Sequence, residues 1–204
     1  MDHITSHNWK LLLLAGALVG LLVWPTPSEA QTVTGQAKAA QGTVLLGILG
    51  GTTTTTLSDT GTLSGTNDAR EASLFSGNVP SLLTADVLHA TTIGYPDEVD
   101  SEASLGDMGL TVAGTGISAD FVMARAMAVL GAPGSGSSSI ANLSINGVPI
   151  VVTGDANQTI TIPGGQVVVN EQTISPSGAT VNAIHVTVSG VADVVIASAT
   201  AGIF

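Results

Sequence analysis

After about residue 30 the chain consists of short runs in which apolar and polar residues alternate, separated by turn-forming residues. A period of two is typical of strands that bury one face and expose the other. Clear runs cover residues 158–162 and 180–188, and residues 193–199 are apolar almost throughout. Because Gly, Asn, Pro and Ser separate these runs, the pattern predicts an all-β fold.

Two tight turns in the second half predict antiparallel hairpins. Asn146-Gly147 joins residues 139–145 to residues 148–152, and an Asn-Gly pair is typical of a type I′ turn, in which both central residues have positive φ. Residues 158–162 return as residues 166–170 after a Pro-Gly-Gly turn. These two hairpins follow one another along the chain.

The first half has a weaker pattern. Residues 43–49 and 52–57 are predicted to be strands on either side of a Gly-Gly pair. The second predicted strand contains five consecutive Thr residues. Residues 82–93 are rich in β-branched side chains and predict a longer strand. We expect that strand to pair with residues 101–112 across a Tyr-Pro-Asp turn.

Residues 118–130 support two interpretations. Ala, Met, Arg and Leu favour a helix, and Ser118 is a suitable N-cap. Ile117, Phe121 and Val129 belong instead to an alternating apolar pattern, interrupted only at Arg125. We expect a strand here, because the surrounding segments are predicted to be strands.

The same alternation predicts which side chains of residues 180–188 share a face. A strict period of two separates these side chains into two sets. One face holds Asn182, Ile184, Val186 and Val188, and the other holds Val181, Ala183, His185 and Thr187.

A signal peptide is predicted at the N-terminus. Residues 11–23 form an unbroken apolar or small-residue run, of signal-core length and too short for a membrane span. Pro25 and Pro27 follow, and Ser28 and Ala30 place small residues before a cleavage point. We therefore expect residues 1–30 to be a cleavable signal peptide and the protein to be secreted.

Many short strands within residues 31–204 predict a single domain. Each strand needs a second apolar layer against its buried face, which two packed sheets supply. The expected architecture is a two-sheet antiparallel β-sandwich or a jelly-roll-like arrangement.

Charge and cysteine content exclude several classes of partner. Residues 31–204 keep three basic residues against 13 acidic ones, so their net charge is −10. Such a chain lacks the cations that neutralise nucleic-acid phosphates or anionic lipid surfaces. The absence of Cys excludes disulfides, thiol catalysis and Cys-ligated zinc. The sequence thus predicts no nucleic-acid partner, no membrane span in the mature form and no cofactor, apart from a calcium candidate.

Several motifs follow one another in the second half. They are residues 138–149 (SSIANLSINGVP), 157–164 (NQTITIPG), 169–172 (VNEQ), 182–188 (NAIHVTV) and 193–199 (DVVIASA). In this order they resemble the bacterial choice-of-anchor P family, over about residues 70–204. The resemblance implies a surface or extracellular β domain and no catalytic residue. Family members often carry a C-terminal sorting tail, and the sequence ends at Phe204 without one. We therefore expect release or retention by non-covalent assembly.

Five acids lie between residues 97 and 107. Clustered carboxylate oxygens are ligands that Ca²⁺ prefers. The spacing does not match an EF-hand loop, and a solvated acidic turn is the simpler alternative. The candidate calcium ligands are Asp97, Glu98, Asp100, Glu102 and Asp107.

Two histidines and one arginine are the other candidates for chemistry. His185 and His89 each fall within a predicted strand, with Asp193 and Asp86 as possible orienting carboxylates. No nucleophile elbow, zinc-binding helix motif or phosphate loop accompanies them. We therefore expect His185 to pack or to form hydrogen bonds at the surface of the sandwich. Arg125 stands in an apolar run with Asp120 nearby, and it is expected to form an ion pair or to extend its charged end into solvent at a strand edge.

These observations favour a non-catalytic secreted or cell-surface protein of structural or adhesion type. Exposed strand edges with few lysines are poorly protected against pairing, so self-association is expected, with residues 31–42 as a candidate donor strand. The same interpretation also allows other partners at the cell surface or in the extracellular matrix. The alternative is a secreted carbohydrate- or calcium-binding module, although residues 31–204 contain one Tyr and no Trp for stacking on sugars.

Overall fold

A computed structural model describes residues 31–46 and 51–204 of the chain. The predicted signal peptide and the end of the strand predicted at 43–49 lie outside these ranges. Residues Gln31–Phe204 form one compact unit.

Strands dominate the described residues, as the alternating pattern predicts. They are β1 (Val33–Leu46), β2 (Gly51–Asp59), β3 (Ala69–Val79), β4 (Leu83–Gly94), β5 (Glu98–Val112), β6 (Thr115–Val129), β7 (Ser135–Ala141), β8 (Ser144–Ile145), β9 (Val148–Pro149), β10 (Gln158–Ile162), β11 (Gly165–Ser175), β12 (Gly178–Val188) and β13 (Ala192–Ile203). Within β6 the alternation of buried and exposed residues decides between the two interpretations of residues 118–130 in favour of a strand.

Two antiparallel sheets pack face to face, which confirms the predicted β-sandwich. Sheet A has the order β10-β11-β12-β13-β1-β2. Sheet B has the order β3-β4-β5-β6, and β7 and the short β8–β9 hairpin continue it beyond β6. Strands β12 and β13 pack over β5 and β6, while β1 covers β4 and β5. Most neighbours in each sheet are consecutive along the chain, so each sheet is mainly a meander.

The first strand is not available as a donor strand. β1 lies inside sheet A, with β13 on one side and β2 on the other. Its residues Ala37, Ala39 and Ala40 are buried in the core. Pairing through a free strand edge therefore requires a strand other than β1.

The Asn146-Gly147 turn forms as predicted, but its hairpin is short. Asn146 has φ of 50° and Gly147 of 75°, as a type I′ turn requires. Only two residues on each side pair, β8 with β9. The expected strand over residues 139–145 is broken after Ala141, where β7 ends, and both β7 and β8 pair with β6.

The core is built from small aliphatic side chains. Ala103, Ala124 and Ala126 are fully buried between the sheets, beside larger residues such as Leu105 and Ile184. Alanine has no side-chain rotamers to lose on folding. The many apolar residues of the sequence therefore form the core between the two sheets.

A buried polar contact joins the two sheets through this core. Ser101 Oγ, on β5, lies 2.7 Å from the carbonyl oxygen of Thr200 on β13, and 2.7 Å from Thr92 Oγ1 on β4. The single Ser101 hydrogen is donated to the Thr200 carbonyl, so the Thr92 hydroxyl donates to Ser101. This chain satisfies two hydroxyls that are almost fully buried.

The face that each strand buries changes partway along it. In β12 the buried residues are Ala179, Val181 and Ala183, and then Ile184, Val186 and Val188. The prediction that Ile184 and Ala183 occupy opposite faces is therefore wrong, because both are buried at a reversal of the pleat. Ala197 lies across from Ala183, between the paired positions Asn182–Ser198 and Ile184–Ile196, and has φ of 51°.

The same reversal crosses the long strands of both sheets, so it forms a row across each sheet. In sheet A the row is Ser58, Ala39, Ala197, Ala183 and Asn170. In sheet B it passes through Phe75 and Val87 and, on the other side of a register shift between β4 and β5, through Asp107, Asp120 and Asn142. Positive φ values occur in both rows, and at Val87, where φ is 49°, the residue is β-branched and so particularly strained.

Candidate functional site

Three of the predicted calcium ligands form a row on the outer face of β5. Glu98, Asp100 and Glu102 alternate with the buried residues Val99 and Ser101, so their side chains leave the sheet on the same side. Residues two apart on a strand are about 6.6 Å apart along it. Asp97 precedes this row in the β4–β5 turn.

Arg125 on β6 lies against this acidic row. It is directly opposite Glu102 in the register, and its Nη2 is 3.4 Å from Asp100 Oδ1. A shared hydrogen bond with Asp100 and the charges of Asp100 and Asp97 raise the pKa of Glu98 above its usual value, although Arg125 acts in the opposite direction. Of the two expected arrangements of Arg125 the ion pair is present, but its partner is Asp100, whereas the nearby Asp120 accepts a hydrogen bond from Asn142.

Asp107 is separated from the other four acids. It lies at the pleat reversal of β5, where its φ is 44°. It lines a small pocket with Asp86 and Asn78. Among residues 31–46 and 51–204, no three His, Asp or Glu side chains are placed to hold one metal ion. Calcium binding stays a prediction.

His185 lies between two carboxylates on the outer face of sheet A. Its Nδ1 is 2.9 Å from Glu171 Oε2 on β11, and its Nε2 is 3.2 Å from Asp193 Oδ1 on β13. Asn182 Nδ2 donates to Glu171 Oε2 over 2.6 Å. The contact with Asp193 is the one that the sequence suggested, whereas Glu171 was not foreseen.

The two carboxylates favour the charged form of the imidazole. Partial burial alone would lower the pKa of His185, but hydrogen bonding to Glu171 and the charges of Glu171 and Asp193 outweigh it and raise the pKa. For the acid Glu171 the signs are reversed. Burial alone would raise the pKa of Glu171, but hydrogen bonds from Asn182 and His185 outweigh burial and lower the pKa. Because both ring nitrogens are bound by carboxylates, His185 is occupied in joining β11, β12 and β13 and is not placed as a base beside a nucleophile.

His89 has a hydroxyl partner, but the arrangement is not a catalytic triad. His89 Nδ1 is 3.0 Å from Ser73 Oγ, directly across the β3–β4 ladder. The nearby carboxylate of Glu71 accepts a hydrogen bond from Ser73 over 3.1 Å. A triad needs the carboxylate on the other imidazole nitrogen. Asp86, the partner that the sequence suggested, makes no contact with His89 among the hydrogen bonds and ion pairs of the described residues.

Strand β3 is the terminal strand of sheet B and exposes apolar side chains. Phe75 is 87% exposed and Leu74 41% exposed, and Val87 on the adjacent β4 is 64% exposed. β3 has 11 residues, none of them Lys or Pro. The structure therefore places an unprotected strand edge beside a small apolar patch, which we call the β3 edge.

Sequence reasoning missed the β3 edge because its residues carry no alternating signal. The exposure pattern of β3 has a run of four exposed residues from Ser73 to Ser76, so no apolar face repeats with a period of two. The available signal was the pair Leu74-Phe75 in a polar stretch of a chain with very few aromatic residues.

The chain matches no protein-family model, and no curated protein or solved structure matches it. Within residues 31–46 and 51–204 there is no helix with the length and apolar character needed to cross a membrane.

Proposed function

We propose that this is a non-catalytic secreted or cell-surface β protein of structural or adhesion type, whose copies associate through the β3 edge. Secretion rests on the N-terminal sequence pattern, and membership of the choice-of-anchor P family rests on the motif order. The observation that carries the assembly proposal is the exposed Leu74-Phe75 pair in the middle of an unprotected edge strand.

An edge strand offers a partner hydrogen-bonding groups that the sheet does not use. Alternate residues of a terminal strand direct their N–H and C=O groups away from the sheet, where another strand can pair with them. Over 11 residues β3 extends about 36 Å. Natural edge strands are commonly blunted by Lys, Pro or inward-pointing charges, and β3 has none of these between residues 72 and 79.

A second copy of the same strand is the occupant that fits this edge. When two identical antiparallel strands pair about a two-fold axis at the midpoint, all of their residues overlap. The midpoint of Ala69–Val79 is Leu74, so such pairing brings Leu74 and Phe75 of both copies together. The pleat reversal at Phe75 is next to this midpoint, so the residues on either side of it keep a regular pleat.

Charge is compatible with this contact even though residues 31–204 have a net charge of −10. The only ionised residues of β3 are Arg70 and Glu71, which cancel. The strand therefore adds no like-charge repulsion of its own, and assembly is expected to strengthen as salt screens the rest of the surface.

The test is the concentration dependence of the mass in solution, measured by light scattering after size exclusion. We expect a dimer for the purified protein and at least about a tenfold higher dissociation constant for Phe75→Lys, because a charge then replaces the central apolar contact. Phe75 is 87% exposed, so the substitution leaves the core intact.

Val151→Lys is the matched control, since Val151 is an 80% exposed apolar residue outside β3. It should associate like the original protein. A strict monomer at every concentration, or equal association of the Phe75→Lys variant, would show that the β3 edge is not the assembly surface.

A further inference from the structure

A wide cleft lies on the outer face of sheet B, at the end where the β3–β4, β5–β6 and β8–β9 turns meet. Its volume is about 560 Å³. Its floor is formed by Gly109 and Thr111 of β5 and by Gly116 and Ser118 of β6. We call this cleft the sheet B trough.

Two glycines create the depression. Gly109 and Gly116 alternate with the buried residues Leu110 and Ile117, so a side chain at either position would project from the outer face. Glycine at these positions exposes the strand backbone and lets a ligand approach it closely. The trough therefore owes its depth to two missing side chains.

Hydroxyl and amide groups border the floor on two sides. Asn78, Ser81 and Thr84 lie on the side of β4, and Ser144 and Asn146 lie on the side of β8. β4 and β8 are separated by β5 and β6, so the two borders are about 14 Å apart. This width accommodates a ring with its hydroxyl groups directed to both sides.

The bordering groups retain hydrogen-bonding capacity. Ser118 Oγ lies 2.8 Å from Ser144 Oγ, and this pair uses one of its two hydroxyl hydrogens. Asn146 Oδ1 accepts from the Gly116 N–H over 2.8 Å, which fixes the amide and leaves both Nδ2 hydrogens to donate. The trough thus offers both hydrogen-bond donors and hydrogen-bond acceptors in fixed orientations.

No Asp, Glu, Lys, Arg or His lines the trough within the part of the chain that the structure describes. An anionic ligand would meet no cation there and would be repelled by the net charge of the domain. A metal ion would meet no carboxylate. An added peptide strand would find the backbone groups of the floor already paired within the sheet.

We propose that the sheet B trough binds a neutral glycan through Gly109, Gly116, Ser118, Ser144 and Asn146. An uncharged polyhydroxylated ligand matches an uncharged surface of hydroxyls and amides. No aromatic side chain lines the trough, so ring stacking is not available and the dissociation constant is on the order of 1 mM. This proposal does not depend on assembly through the β3 edge.

The experiment is a nuclear magnetic resonance titration of the ¹⁵N-labelled protein with neutral oligomers of glucose, mannose, galactose and N-acetylglucosamine, each up to about 10 mM. At least one oligomer is expected to cause saturable shifts of the backbone amides of Gly109, Gly116 and Ser118. If no oligomer shifts these amides, or if the shifts map to another surface, the proposal is wrong.

Gly116→Leu fills the trough and should weaken binding at least about tenfold. An ideal Cβ at Gly116 lies 3.8 Å from Asn146 Oδ1, an ordinary contact, so the variant is expected to fold. Ser104→Leu, also on the outer face of β5 but outside the trough, is the matched control and should bind normally. Unchanged binding by Gly116→Leu would overturn the proposal.

The Ser118→Ala/Ser144→Ala double variant removes the hydroxyl pair without filling the space and should also weaken binding. A sulfated oligosaccharide of equal length tests the charge argument. If it shifted the trough amides as strongly as the neutral oligomer, the preference for a neutral ligand would be refuted.

Discussion

His185 Nδ1 lies 2.9 Å from Glu171 Oε2, which ties β12 to β11 on the outer face of sheet A. On the other side of the ring, Nε2 reaches Asp193 on β13. A charged imidazole therefore donates to carboxylates on both neighbouring strands. The contact is half-buried, so the energy it contributes depends on the ionisation of both partners.

The stability contributed by this contact should depend on pH in two directions. The raised pKa of His185 means that its contribution is complete below the ordinary value of 6.5 and is lost as the pH rises through the higher folded-state pKa. The lowered pKa of Glu171 means that its contribution is present above the ordinary value of 4.5 and is lost as the pH falls through the lower folded-state pKa. The contact should thus be strongest between about pH 4.5 and 6.5.

We expect His185→Gln to lower the free energy of unfolding by about 1 kcal/mol within this window and by less at alkaline pH. Urea unfolding at several pH values measures the difference. Glu171→Gln should also lower the pKa of the His185 ring in a proton-detected titration. A His185 pKa at or below 6.5 in the original protein would contradict this account.

Val87 gives a prediction about backbone strain. Its φ of 49° is costly for a β-branched residue, and its side chain is 64% exposed, so replacement by glycine relieves strain with little loss of packing. Val87→Gly should raise the free energy of unfolding by about 1 kcal/mol. Val148→Gly is the control, because Val148 is 62% exposed with ordinary φ, and it should be destabilising. Thermal unfolding distinguishes the two, and equal destabilisation would argue against strain at Val87.

The Thr92–Ser101–Thr200 contact predicts a non-additive pair of substitutions. Ser101→Ala leaves the buried Thr92 hydroxyl without its acceptor and should cost about 2 kcal/mol. Adding Thr92→Val removes that stranded hydroxyl, so the double variant should be more stable than Ser101→Ala alone. Chemical denaturation of the three variants checks this, and simple additivity would mean that the two hydroxyls do not depend on each other.

Arg125→Ala should have little effect on stability. The Arg125 side chain is 52% exposed and its contact with Asp100 is 3.4 Å long, so the loss should be below about 0.5 kcal/mol. The variant should nevertheless raise the pKa of Glu98 further, because the positive charge of Arg125 lowers it. A carbon-detected titration of Glu98 measures that shift. A lowered or unchanged pKa would place the guanidinium away from the acidic row.

Local patterns were sufficient for the β class, the Asn146-Gly147 turn and the strand at residues 118–130. Each depends on neighbours along the chain, such as the positive φ that Asn-Gly accepts. The assignment of faces in residues 180–188 failed, because a strict period of two continues only as long as the pleat does. At Ala183 the pleat reverses together with that of Ala197 on the adjacent strand.

Part of the reversal row could have been anticipated and part could not. Asn170, Asn142 and Asp107 are residue types that tolerate positive φ, so their position inside strand-like runs was a weak signal. Ser58, Val87 and Ala197 adopt the same conformation without any such preference. At these three residues the pairing of adjacent strands determines the backbone conformation, and a short stretch of sequence does not contain that information. The partners of His185 depend on strand order in the same way.

The pairing of β1 with β13 has a consequence for how the chain is made. Val33 lies opposite Ile203, so the inner strands of sheet A come from opposite ends of the described sequence. During synthesis the β1–β2 hairpin lacks its other neighbour until residues 192–203 have emerged. Contacts this distant in sequence form slowly. Sheet A should therefore close only after translation is nearly finished, and shortened chains that stop before residue 192 should remain unfolded and susceptible to proteases.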